Sequence, residues 1–170
     1  MTNLSLYLLK RDLMQQIAIT RFSNETFDEY IRYVDNSKIS NFYNTPVPIA
    51  KRIQIGASII VLEANIEENK MMGFGMIKNN YVQYYKHNVY KYKYRNRLSY
   101  VGGYSRVDIS EMTTQEKKVM RIFEIVCFTG ARHMKRGIGI QCINEKQIER
   151  CKPKIDLYAF LHNSLEMRKK

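Results

Sequence analysis

Residues 56–77, GASIIVLEANIEENKMMGFGMI, decide the fold. From Ala57 to Ala64 the chain is short, apolar and β-branched, with Gly56 in front, and it reads as a strand. Residues 65–70, NIEENK, supply a polar turn in which Glu67 and Glu68 are solubilising charges, and Met71 to Ile77 runs back. The stretch predicts a hairpin with a loop of about four residues. Gly73 and Gly75 lie two apart, so both face one side of the return strand. Glycine weakens a strand and marks a bulge, a barrel corner or the close approach of another backbone.

Working outward, QIAITRF at 16–22 alternates as a strand does. Asn24 to Asn36 carries Phe27, Tyr30, Ile31 and Val34 at helical spacing, with Ser23 or Asn24 as N-cap. Pro46 and Pro48 force an extended path from Phe42 to Ile49. Downstream, NVYKYKY at 88–94 alternates strictly and predicts a strand with Tyr90, Tyr92 and Tyr94 on one face. Gly102 and Gly103 break the next β-like run, which resumes from Tyr104 to Ile109. Thr113 and Glu116 form a capping box that opens a helix with Val119, Ile122, Phe123, Val126 and Cys127 inside and Gly130 at its end. Ile138, Ile140 and Ile143 suggest a last short strand, and Asn144 with Gln147 caps a brief helix that Pro153 ends. Ile155 to Arg168 is a closing helix with Leu157, Tyr158, Phe160, Leu161 and Leu165 inside, and Arg168, Lys169 and Lys170 suit its negative end.

The 170 residues are 45% apolar, enough for one domain with a real core, and no linker divides the chain. No apolar run approaches the roughly 18 residues of a membrane helix. The apolar stretch Leu4 to Leu9 is too short for a secretory signal. Cys127, Cys142 and Cys151 are an odd set spaced unlike a zinc knuckle, so a reducing, intracellular compartment is expected, without metal or other cofactor. The balance of 28 Lys+Arg against 16 Asp+Glu gives +12, and a chain this basic points to a polyanion, most often nucleic acid.

Phosphate-binding, dinucleotide-binding, zinc-protease and nucleophile-elbow motifs are all missing, and His87, His133 and His162 are scattered. The reading is therefore non-catalytic. Asn79 to Tyr100 holds seven tyrosines, five cations and no acid. Aromatic rings stack bases while cations follow phosphates. Tyr81, Tyr84 and Tyr85, in a loop, and Arg95 and Arg97, beside a turn, are the binding candidates here. Tyr90, Tyr92 and Tyr94 read first as the inner face of a half-buried strand. The second candidate is GARHMKRGIGI at 130–140, where Arg132, His133, Lys135 and Arg136 precede Gly137 and Gly139. Cations beside glycines whose N–H groups can approach an anion are suited to gripping phosphate without reading bases. The plain alternative is a basic loop after a helix, paired to Glu124, Glu145 or Glu149.

GASIIVLEA followed by MMGFGMI, with a helix and then NTPVPIAKRIQIG upstream, resembles the pattern of PUA-like β-barrels, the group of EVE, ASCH and YTH domains. Ala57 and Ser58 stand where that group often has an acid, whereas Gly73, Phe74 and Gly75 match its second element. The loop at 130–140 is similar to one in uncharacterised proteins of large DNA viruses, and a composition rich in Lys, Ile, Asn and Tyr is compatible with that. The resemblance implies an α+β fold: a small curved antiparallel β-barrel over about 16–112, with flanking helices and a helical part over about 113–170. It implies nucleic-acid binding with RNA favoured over DNA, in host cytoplasm or a virion. The chain has no tryptophan, which speaks against a tryptophan-lined base cage. Two rival readings stay open: a structural or virion-associated interaction protein with a basic face, and a nucleic-acid-modifying enzyme. No membrane partner is expected.

Overall fold

The computed structural model describes residues 15–37, 39, 41–83, 87–151 and 153–169. Its strands are β1 (Gln15–Phe22), β2 (Phe42–Thr45), β3 (Ser58–Asn65), β4 (Lys70–Lys78), β5 (Tyr81–Gln83), β6 (Leu98–Val101), β7 (Val107–Asp108) and β8 (Gln141–Cys142). The helices are α1 (Asn24–Asn36), α2 (Thr114–Phe128), α3 (Glu145–Glu149) and α4 (Leu157–Met167). Five strands form a central sheet in the order β7-β4-β3-β1-β8, and three form a smaller one, β2-β6-β5. The fold is mixed α+β.

The hairpin lies where its sequence places it. β3 and β4 pair antiparallel, and the register shifts between Glu63 and Ala64, opposite Gly73 and Met71. The turn is held from its first end: Asn65 Oδ1 accepts from the N–H groups of Glu67 and Glu68. Alternation along β1, β3 and β4 then divides the core between the two faces of the sheet. Ile17, Ile19, Ile60, Leu62, Phe74 and Met76 pack under α2 and α4. Ala18, Phe22, Ile59, Val61 and Ile77 pack against α1 and the small sheet. Each fully buried aliphatic or aromatic side chain is worth about 1.5–3 kcal/mol.

Caps fix the helices. Ser23 and Thr26 form a reciprocal box at the start of α1, and Thr113 and Glu116 do so for α2. Asp156, rather than Ile155, opens α4. Arg168, at the end of α4, reaches across to α2: its Nη1 and Nη2 donate to Glu116 at 2.6 and 2.8 Å, and Ser164 donates to the same carboxylate. Burial pushes the Glu116 carboxyl up, but the Arg168, Ser164 and Thr113 donors outweigh it and hold it at about 2. A folded-state value below the ordinary 4.5 means that this contribution to stability is complete above the ordinary value. It is lost as pH falls from there toward 2. Acid unfolding followed by circular dichroism should therefore be shallower in this window for Glu116→Gln than for the parent. Identical acid limbs would contradict the assignment.

Three expectations are corrected. The strands were expected in one antiparallel sheet curling into a barrel; instead there are two sheets, and β1 runs parallel to β3. The parallel pairing follows from the long crossover through α1 and β2, which a hairpin could not supply. Residues 88–94 are not a strand: they are irregular and lead into a 3-10 turn at Lys93–Asn96. Buried Asn96 is the cause. Its Oδ1 accepts from the N–H groups of Val89 and Tyr90 at 3.2 and 3.1 Å, and its Nδ2 donates to the Tyr90 carbonyl at 2.7 Å. The side chain takes the backbone partners a ladder would need. Consequently Tyr90 is buried, while Tyr92 and Tyr94 are each 55% exposed. The last strand shrinks to Gln141–Cys142, and Ile138 lies on the surface.

Candidate nucleic-acid interface

Two segments that are far apart in sequence line one cleft of about 200 Å³. Tyr90, Tyr94 and Arg95 come from the tyrosine-rich stretch, and Lys135, Gly137, Ile138 and Gly139 from the basic loop. Thr20, Arg21 and Ser23, at the end of β1 and the start of α1, Asn44 and Pro46, in and after β2, and Ile66, after β3, complete it. Among the described residues the lining holds three fixed cations, Arg21, Arg95 and Lys135, and no carboxylate.

The first wall is set by side-chain hydrogen bonds. Asn44 Nδ2 donates to Asn96 Oδ1 at 3.0 Å and to the His87 carbonyl at 2.6 Å, and Ser99 Oγ donates to Asn44 Oδ1 at 2.6 Å. This fastens 87–96 to β2 and β6. Arg95 lies 5.8 Å from the centre of the Tyr94 ring, a cation–π distance. Its Nε is buried with no acceptor among the described residues. Burial pushes the Tyr90 phenol up, against the pull of Arg95, so it stays neutral.

The second wall is held by Arg21. Its Nη1 donates to Gln141 Oε1 at 2.9 Å and the Met134 carbonyl at 3.3 Å, and its Nη2 to the Gly139 carbonyl at 2.9 Å. Gly137 has φ 124° and Gly139 φ 74°, a region that side chains other than glycine rarely adopt. A Cβ at Gly139 would also stand 2.6 Å from Thr45 Oγ1. Glycine lets the loop press on the end of β2 and leaves its backbone beside the cleft.

The structure thus unites Arg95, Lys135, Gly137 and Gly139 and separates the other candidates from them. Tyr81 packs edge-on against Tyr100, with ring centres 5.7 Å apart, away from the cleft. Tyr84 and Tyr85 lie outside the described residues. Arg97 and Arg136 are exposed and do not line it. His133 is held within its own loop, its Nδ1 accepting from the Lys135 N–H at 3.4 Å. Arg132 lines a different groove. The proposed pairing of the loop to carboxylates is not seen among the described residues: Glu124 instead takes Arg121 and the Met71 N–H.

Arg21 was not foreseen, because a cation in an alternating strand reads as an ordinary solvent-facing residue. Tyr94 was assigned to a strand interior. A groove of about 240 Å³ beside α3 and α4 carries Glu145, Glu149 and Asp156, the wrong sign for a polyanion. Among the described residues no group of three or more His, Cys, Asp or Glu could hold a metal ion, and no helix is long and apolar enough to cross a membrane. Cys127 is wholly buried, and burial pushes its thiol up to about 12.

No family model, curated protein or solved structure matches the chain.

Proposed function

We propose that the chain is a non-catalytic nucleic-acid-binding protein that takes a single strand, RNA in preference to DNA, into the cleft between Arg95 and Lys135. The observation that carries this reading is convergence. Two segments singled out separately for base stacking and phosphate gripping meet in one cleft without an acid. Tyr94 offers a half-exposed ring, and Arg95 and Lys135 offer charge that no carboxylate of the lining neutralises. The concave shape favours a splayed strand over a rigid duplex, because single strands present bases and phosphates that can enter. The preference for RNA rests on the resemblance to PUA-like domains, as does the proposal that the two sheets form an open relative of that barrel.

The test is fluorescence anisotropy with a labelled mixed single-stranded oligonucleotide across a salt series. Arg95→Ala with Lys135→Ala should flatten the slope of log K against log salt by roughly 1.4, at about 0.7 per single-strand phosphate contact. Arg97→Ala with Arg136→Ala, the same charge removed outside the cleft, should leave most of the slope. Equal effects from the two pairs would show a diffuse basic surface and end the cleft reading.

A further inference from the structure

The basic loop has a second end. Arg132 does not reach the cleft; it lines a separate groove of about 190 Å³ with Arg150, at the end of α3. The lining includes Ile125, Val126 and Cys151, and among the described residues again no carboxylate. Both arginines are exposed, and neither forms an ion pair among the described residues.

The ordinary explanation for cations here is the C-terminus of α2, whose last carbonyls attract positive charge. Two carbonyls of the last turn already have partners. Ile125 O accepts from Thr129 N–H at 3.3 Å and from its hydroxyl at 2.6 Å, and Cys127 O accepts from Met134 N–H at 2.6 Å. The Arg132 carbonyl is taken by Gln147 Nε2 at 3.0 Å, which ties the loop to α3 and brings Arg150 to the same groove. Among the described residues neither guanidinium donates to the helix end, and both arginines are exposed.

Arg132 and Lys135 are three residues apart, so their Cα atoms are separated by at most about 11 Å. That bound allows up to about three steps of a stacked strand at about 3.4 Å per phosphate. We infer that the Arg132–Arg150 groove is a second phosphate subsite, which receives the same strand a few nucleotides beyond the cleft. This inference rests on the nucleic-acid reading above and extends it from one cleft to a track along the loop.

The experiment uses the full chain and single-stranded RNA oligonucleotides of decreasing length, from about eight nucleotides, within the roughly 4–16 span of known single-strand modules. Salt slopes are measured for the parent, for Arg132→Gln with Arg150→Gln, and for Arg95→Ala with Lys135→Ala. On the long oligonucleotide the Arg132/Arg150 pair should lower the slope by roughly 1.4, as the cleft pair does, and the four changes together by roughly 2.8. On a trinucleotide, whose two bridging phosphates suffice only for the cleft, the Arg132/Arg150 pair should have no effect, while the cleft pair keeps its own. A parent that binds the long strand while Arg132→Gln with Arg150→Gln leaves the slope unchanged would overturn the second subsite and leave the cleft intact. A fall in melting temperature with an unchanged slope would overturn it too, by assigning the arginines to the helix end. Failure of the parent to bind any oligonucleotide would instead remove the nucleic-acid reading itself.

Discussion

Arg106→Met should destabilise the protein by about 3–5 kcal/mol, the usual cost of leaving a buried charge without its partner. That is a large share of the roughly 5–15 kcal/mol of a whole domain. Glu63 is fully buried in β3, and Arg106 binds it through Nε at 3.0 Å and Nη2 at 2.5 Å. Tyr43 and Tyr30 donate to the same carboxylate at 2.8 and 3.4 Å. Burial alone would pull the Arg106 guanidinium down, but the charge and hydrogen bond of Glu63 outweigh it and hold it above its ordinary value. In the variant Glu63 keeps two phenols and loses its cation, so a fully buried carboxylate is left without a counter-charge. Urea unfolding at pH 7 should show the loss. Glu63→Gln added to Arg106→Met removes the charge and should recover part of the loss. A single variant as stable as the parent at pH 7 would refute the account.

Asn96→Ala should cost about 3 kcal/mol and, on the proposed reading, single-strand binding with it. Four polar groups lose their partner: the N–H of Val89, the N–H and carbonyl of Tyr90, and the amide of Asn44. Each buried group left unsatisfied costs about 1–3 kcal/mol, reduced where water enters. Without this anchor nothing comparable holds Tyr94 and Arg95 across from Lys135, so affinity for a single strand should fall at a temperature where the variant is still folded. A loss under about 1 kcal/mol with unchanged affinity would mean that the loop holds its shape by other contacts.

Elements that announce themselves over a few residues were legible in the sequence. The hairpin has its apolar runs and polar turn, α1 and α2 have their capping residues and stripes, and α4 has its leucines. Gly73 was legible only as a bulge, a barrel corner or the close approach of another backbone, not as room for a side-chain ion pair. A Cβ there would stand 2.5 Å from Glu63 Oε2 and 2.7 Å from Arg106 Nη2, so the glycine makes room for the ion pair. What escaped depends on distant partners. Strict alternation at 88–94 gave a strand because period two is all a strand shows locally, whereas Asn96 acts through its side chain. The parallel pairing of β1 with β3 leaves no local trace. In the basic loop the density of cations was plain, but which of them share a cleft depends on Arg21 and Gln147, whose roles exist only in three dimensions.

The parallel ladder between β1 and β3 bears on how the molecule comes together in time. Every partner pair in that ladder is 43 residues apart in sequence, from Gln15 with Ser58 to Phe22 with Asn65. The hairpin β3–β4 closes locally and can form on a microsecond scale, but the crossover must lose loop entropy before β1 gains its partner. β8 then docks on β1 through only two residue pairs, Ala18 with Cys142 and Ile19 with Gln141. The basic loop hangs from this short edge, so it is secured after everything it leans on. In hydrogen exchange, the amides of 135–142 should open at lower free energy than those of β3, the low end of the native-state hierarchy. On the nucleic-acid reading proposed above, a bound strand would clamp this edge and raise the protection of 135–142.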